Sequence, residues 1–463
     1  MPGKFERPRG QKAPAGGKQP PKRKGSTGCL LVVLLVLVLA LATVVIIALV
    51  HDDILPLPTP GIVENDEPTD PPTDPPTDPP GPVVVSTATI SVTGDVLMHM
   101  PVINSCYSGG AYDFYPIFQY LAPYAQASDY AIANLETTLA GTDNGYKYSG
   151  YPCFNCPDEI TDALKASGFD MLLTANNHCY DTRTIGLTRT LQIAADRGLE
   201  TLGTMASADD PKYQVVDING IQVGMVCYAY STTGSSGRPA MNGIATGADS
   251  VGMINAFDYE YLDKFYGEME DHIEGMEAEG ADAVVLYIHW GQEYQLEPNS
   301  YQTSMAQKLC DLGVDVIVGG HPHVIQPMEL LTSTTDPEQK TVCLYSMGNA
   351  ISNQRIARMN LKTGHTEDGL LFSFTFAQYS DGDVLLESVD ILPCWVNLDD
   401  GDYTIVPLDQ DVSDWKTAFH LSDTTLTNAR ASFDRTMALV GAGLDASNDY
   451  LTALNEAKLT PSE

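Results

Sequence analysis

Apolar, β-rich runs recur through the middle of the chain at Thr89–Val92, Ala131–Ala133, Met171–Thr174, Gln222–Tyr228, Ala283–His289, Asp315–Val318 and Thr341–Tyr345. Between them, Asp158–Ser167, Thr184–Arg197, Tyr259–Glu279 and Tyr301–Leu312 place apolar residues three or four apart, the spacing of amphipathic helices. Strands alternating with helices predict βαβ units around a largely buried parallel or mixed sheet, an α/β fold. Gly369–Gln378 and Val384–Ile391 alternate as antiparallel strands do, and Ser413–Leu459 predicts one or two amphipathic helices. The ordered pattern begins near Ala88.

Ahead of that pattern the chain changes character twice. Cys29 to Val50 is a run of twenty-two residues without a charge, and a hydrocarbon core about 30 Å thick needs about 20 helical residues. A cleaved signal has a shorter apolar stretch of about 7–15 residues, so an uncleaved anchor is the expected reading. Residues 1–28 carry eight basic side chains and one acid, a net +7 that leaves −42 for the rest of this −35 chain. Basic flanks stay on the cytoplasmic side, which predicts a single-pass membrane protein with its acidic bulk outside the cell. Residues 51–87 are rich in Pro, Thr and Asp and repeat TDPP three times, from Thr69 to Pro80. Proline withholds hydrogen-bond donors and the acids repel, so this segment predicts an extended stalk.

An excess of 60 Asp and Glu over 25 Lys and Arg excludes nucleic acid as a partner, because phosphate backbones are bound by clustered cations. Cysteine usage decides less. Cys153 and Cys156 have the spacing of a metal knuckle without a second pair to complete it, and a disulfide among Cys106, Cys153 and Cys156 stays open.

The polar residues that interrupt the strands gather at their carboxyl ends, where open α/β sheets form ligand crevices. They are Asp95 with His99, Glu136, Asn177 with His178 and Asp181, His289, and His321 with His323. One Asp, one Glu, an Asn amide and several imidazoles make a mixed hard and borderline donor set. It suits one or two divalent ions such as Mn, Fe or Zn. Two adjacent ions polarise a phosphoryl or carbonyl group, and His178, with Asp181 close behind, has the character of a general acid. A single histidine at a strand end is more often a hydrogen-bonded structural residue than a ligand; the repeated placement of His178, His289, His321 and His323 favours a site. Trp290 is expected to pack, and Asn349 either to orient a ligand or to close a turn.

GDVLM (Gly94–Met98), NLE (Asn134–Glu136), ANNH followed by Asp181, HWG (His289–Gly291), GGHPHV (Gly319–Val324) and SMGN (Ser346–Asn349) occur in an order that resembles the CapA family. These are capsule and poly-γ-glutamate synthesis proteins whose domain is similar to calcineurin-type metallophosphoesterases. The resemblance implies a metallophosphatase-like α/β/β/α sandwich over residues 88–395, preceded by the anchor and stalk and followed by a helical extension over 396–463. It implies that Asp95, Glu136, Asn177, His289, His321 and His323 hold metal, with Glu136 in the bridging position and His178 beside the reacting group. The phosphoesterase first motif is Asp-x-His, and position 97 here is Leu, so His99 is the shifted candidate ligand. The implied partners are an anionic polymer or another envelope substrate, and a membrane synthase complex. Three roles remain open: an accessory protein for the polymer, a metal-dependent hydrolase of envelope linkages, and a non-catalytic polymer-binding scaffold.

Overall fold

The computed structural model describes residues 81–143, 145–234 and 237–460. The expected basic tail, the apolar segment 29–50 and residues 51–80 of the stalk lie outside them. Among the described residues no helix is long and apolar enough to cross a membrane.

The chain builds one sheet, then a second, and returns to the first. It enters with β1 (Val84–Val96) and continues through β2 (Tyr130–Asn134), α1 (Glu159–Ala166), β3 (Met171–Leu173), α2 (Arg183–Asp196) and β4 (Glu200–Leu202). β1 to β4 are parallel neighbours in that order. The second sheet opens with the hairpin of β5 (Tyr213–Ile218) and β6 (Ile221–Thr233), followed by β7 (Pro239–Met241), β8 (Ile244–Ala245) and β9 (Ala256–Asp258). Then come α3 (Leu262–Ala278), β10 (Ala283–His289), α4 (Ser300–Asp311), β11 (Val316–Gly320), β12 (Ile325–Thr332) and β13 (Lys340–Met347). Its central strands β6, β10, β11 and β13 are parallel. The chain goes back to the first sheet with β14 (Asn349–Ile351), β15 (Asp368–Tyr379), β16 (Val384–Asp399) and β17 (Asp402–Pro407), and ends in α5 (Asp423–Leu459).

Alternation along the strands sorts their side chains into layers. Ile90, Val92, Ile132 and Met171 of the first sheet meet Val223, Met225, Val285 and Val316 of the second in one buried core. The opposite face of the first sheet is covered by Ile160 and Leu164 of α1 and Ile193 of α2. The opposite face of the second is covered by Phe265, Met269, Ile273 and Met276 of α3, spaced four, four and three apart as one helical stripe requires. The result is a four-layer helix–sheet–sheet–helix arrangement.

Two boundaries differ from the sequence expectation. β1 begins at Val84, because the β-branched Val83–Val85 run extends the strand into residues assigned to the stalk. The sheet also continues past residue 395. β16 runs through Pro393 to Asp399 and pairs with β17 from Cys394–Pro407 to Asp399–Asp402, so the expected boundary falls inside a strand. The helical end is not a separate appendage either: α5 packs against β16 and β12 and contributes Val440 and Leu451 to the core between the sheets. Small residues (Ala429, Ser432, Thr436, Ser447) line its buried face and permit close approach. All eight cysteines of the described residues are free thiols.

A half-buried carboxylate joins two neighbouring central strands of the second sheet. Asp315, just before β11, accepts a hydrogen bond from the Val284 backbone N–H at 2.8 Å, and burial raises its pKa to about 6. The folded state therefore holds this proton more tightly than the unfolded chain, and stability falls as pH rises from about 4 to about 6. Asp315→Asn keeps the acceptor and removes the charge. It is expected to add about 1–2 kcal/mol at pH 7 and nothing at pH 4, read from urea denaturation; an equal gain at both pH values would contradict the assignment.

Candidate metal centre

The parallel strands of both sheets end on the same side, and their carboxyl ends bring the motif residues together. Asp95 closes β1. Its backbone N–H donates to Gly348 O at 3.0 Å, and a Cβ on the preceding Gly94 would stand 2.0 Å from that oxygen. Glycine at 94 is thus what lets β1 meet the turn after β13. Asn134 at the end of β2 donates from Nδ2 to Asp95 Oδ1 at 2.7 Å, while His323 Nδ1 lies 3.0 Å from Asp95 Oδ2. His289 ends β10, and its Nε2 lies 2.9 Å from Asn177 Oδ1. His321 and His323 follow β11 with φ of 99° and 55°, a left-handed backbone that L-residues adopt only when the surroundings impose it. Asn349 supplies part of that restraint by donating from Nδ2 to the His323 carbonyl at 3.2 Å.

Two groups of possible ligand atoms result, each with its atoms within 4.8 Å of one another. One comprises Glu136, His289 and His321; the other comprises Asp95, Glu136 and His323. Glu136 belongs to both. It is 0% exposed, and neither carboxylate oxygen has a hydrogen-bond partner. Its nearest imidazole nitrogens are His289 Nε2 at 3.6 Å and His323 Nδ1 at 3.8 Å, too far for hydrogen bonds. His321 Nδ1 is likewise buried without a partner.

The titration behaviour follows from this crowding. Burial first, and then the Asp95 charge, raise the Glu136 pKa well above its ordinary value. Burial holds His289 down to about 3. Burial and the neighbouring imidazoles lower His321 as well. Asp95 is shifted downward: burial opposes its charge, but His323, His289 and the Asn134 amide outweigh it. His289 and His321 are thereby held in the neutral form a divalent cation needs, and a bound cation would offset the cost of ionising Glu136. Two ligand atoms about 2.1 Å from one ion stand roughly 3–4 Å apart, which is the spacing of the Glu136 and histidine atoms. The residues fit one or two divalent cations with Glu136 shared.

Beside these groups, His178 Nδ1 lies 2.7 Å from Asp181 Oδ2. Asp181 is fixed in turn by the Phe154 backbone N–H at 2.6 Å and by Asn242 Nδ2 at 3.2 Å. With Nδ1 engaged, Nε2 is the atom of His178 left to exchange a proton with a bound molecule. The Phe154 ring meets His178 edge-on at 4.6 Å.

Of the sequence candidates, Asp95, Glu136, His289, His321 and His323 fall in the two groups, Asn177 touches His289, and His178 pairs with Asp181. His99 does not join them. Its Nδ1 is 3.3 Å from Leu97 O and 3.3 Å from the Asn353 backbone N–H, and its ring packs edge-on against Phe154 at 5.2 Å. His99 instead stands at the N-cap of the short helix Met100–Ser105 and belongs to neither group of ligand atoms. Trp290 is a packing residue, fully buried and donating to Tyr345 O at 2.9 Å. Asn242 was not legible in the sequence: Asn-Gly at 242–243 signals only a hairpin turn, and the fold brings the tip of β7–β8 over Asp181.

A two-sheet α/β domain with a buried cluster of carboxylates and imidazoles at its strand ends is the class that fold and site define. Residues 89–354 match the family model described as bacterial capsule synthesis protein PGA_cap, and the chain belongs to that family. It is similar to the PGA biosynthesis protein CapA of Bacillus subtilis, 30% identical over 303 residues that make up 65% of this chain and 71% of that protein. It is also similar to the capsule biosynthesis protein CapA of Bacillus anthracis, 29% identical over 271 residues, 58% of this chain and 60% of that one.

Proposed function

We propose that this protein serves the synthesis, anchoring or export of an anionic capsule polymer such as poly-γ-glutamate, through a metallophosphoesterase-like centre held outside the cell by a single membrane anchor at residues 29–50. Family membership and the names of the relatives support the polymer. The observation that carries the mechanism is Glu136, whose two buried, unpartnered oxygens lie between two sets of histidine and carboxylate donors.

Asp95, Glu136, Asn177, His289, His321 and His323 would hold divalent cations, which supply Lewis-acid polarisation of a phosphoryl or carbonyl oxygen. The chain's own part is positioning and proton transfer. Asp181 fixes the His178 ring, so that Nε2 can deliver a proton to a leaving group. Asn134 and the His323 contact orient Asp95. The His178–Asp181 pair favours a second, compatible reading in which the centre hydrolyses or transfers an envelope linkage, over a scaffold that only binds polymer.

The test is surface polymer on cells that depend on this protein, complemented with variants matched for expression. Asp95→Ala is expected to abolish the complementation. His178→Ala is expected to lower the rate of polymer appearance by about 10²-fold or more, the usual contribution of a positioned acid. Full activity of Asp95→Ala would contradict the metal reading, and full activity of His178→Ala alone would leave the scaffold.

A further inference from the structure

Five arginines are candidates for offsetting the −42 charge that would otherwise repel an anionic chain. The structure separates them. Arg189 is paired with Asp158 through two hydrogen bonds of 2.6 and 2.7 Å, Arg197 with Asp162 at 3.1 Å, and Arg355 with Glu367 at 3.2 Å. Arg183 and Arg358 are exposed, and among the described residues neither has a carboxylate within ion-pair distance.

These two stand at opposite ends of one run of neighbouring residues that passes through His178. Arg183 Nη1 donates to Asp181 O at 3.3 Å, Asp181 holds His178, and the His178 ring meets Phe154. Phe154 meets His99 at 5.2 Å, and the Asn353 backbone N–H donates to His99 Nδ1 at 3.3 Å. Asn353 opens the turn that carries Arg358: Arg355 N–H donates to Asn353 O at 3.0 Å and Arg358 N–H to Arg355 O at 2.7 Å. His99, which the fold removes from the metal groups, keeps Nε2 without a protein partner among the described residues. The line therefore has a guanidinium at each end and a ring nitrogen between, in a protein where most other charge is negative.

We propose that Arg183, His99 and Arg358 form an anion-seating rim that binds successive carboxylates of a polyanionic chain and draws the stretch between them across the metal groups. The proposal rests on the polymer reading above and names the residues that recognise the chain. Guanidinium groups suit the task because their planar fork matches a carboxylate in two hydrogen bonds. The rim also resolves the charge conflict: the chain is held at two local cations while the remaining surface repels it and limits unspecific binding.

The experiment is fluorescence anisotropy of fluorescein-labelled poly-γ-glutamate of defined length with the full-length, detergent-solubilised protein, over a salt series. Arg183→Gln and Arg358→Gln are each expected to weaken binding about tenfold, as loss of one charge-assisted contact does, and to flatten the salt dependence. His99→Gln weakens it less, and Lys308→Gln, an exposed control on α4, leaves it unchanged. Wild-type affinity in the Arg183→Gln/Arg358→Gln double variant would overturn the rim. An equal loss in Lys308→Gln, or preference for polyphosphate over poly-γ-glutamate at equal charge, would overturn the assignment to a carboxylate chain. Bound metal is measured in the same samples: a metal-free protein that still binds the chain through these arginines would sink the metal reading and leave the rim standing.

Discussion

Replacing Glu136 with glutamine is expected to abolish tight cation binding and, in the metal-free protein, to raise the melting temperature. Both effects come from one carboxylate that no proton donor of the described residues satisfies. A buried charge without hydrogen bonds is costly, and a raised pKa shows where that cost goes: the folded state resists ionising Glu136. Its stability falls as pH climbs from about 4.5 towards the raised folded value. The neutral amide removes that term, a gain of about 1–3 kcal/mol at neutral or higher pH. With saturating metal the sign reverses. Binding at 1,000 times Kd adds about 4 kcal/mol to the wild type, and Glu136→Gln forgoes it because both candidate groups lose their common ligand. Thermal melts with and without added Mn or Zn check this. A variant that melts like the wild type under both conditions would show that Glu136 is an ordinary buried acid.

Arg435→Ala is expected to destabilise the fold by about 3 kcal/mol, the cost of leaving a buried charge without its partner. Arg435 lies on α5, outside the residues matched by the family model. Its guanidinium grips the buried Asp368 with two hydrogen bonds of 2.6 and 2.7 Å, and Ser432 adds a third at 2.7 Å. Asp368 opens β15, directly beside the turn that carries Gly348 and Asn349. Asn349 donates to Thr366 O at 3.0 Å as well as to His323 O, so the helix, the strand start and the ligand loop form one connected network. Weaker metal binding at the group containing His323 should accompany the lost stability. Urea denaturation beside Arg430→Ala, an exposed arginine on the same helix, is the check. Adding Asp368→Asn should recover part of the loss. A difference under about 0.5 kcal/mol between the two arginine variants would contradict the network, since that is the ordinary range for surface changes.

How far the sequence reaches is visible residue by residue. Strand-end polar residues were legible because each follows an apolar run whose period fixes where the strand stops, and parallel strands necessarily end on one side. That logic finds Asp95, Glu136, His289, His321 and His323 without knowing any distance between them. It fails at His99, where a two-residue turn decides which way the side chain goes, and at Asn242, whose contact with Asp181 spans a long chain separation. The late boundary of the first sheet was hidden by Pro393, a residue that ordinarily marks a strand edge. Here it sits inside β16, with its carbonyl accepting from Leu408 N–H at 2.7 Å. The role of α5 was hidden for another reason: apart from Val440 and Leu451 its buried face is mostly Ala, Ser and Thr, which carry little hydrophobic signal. Gly443 allows the closest approach, for a Cβ there would stand 2.0 Å from Met328 O.

The central claim is a centre that holds divalent cations through a shared Glu136. Its most direct test is elemental analysis of the full-length protein, purified without chelator or affinity nickel and then equilibrated with Mn, Fe or Zn. The account predicts one or two equivalents per chain, lost in Asp95→Ala and His321→Ala while both variants stay folded. A well-folded wild type that takes up none of the three metals would contradict it.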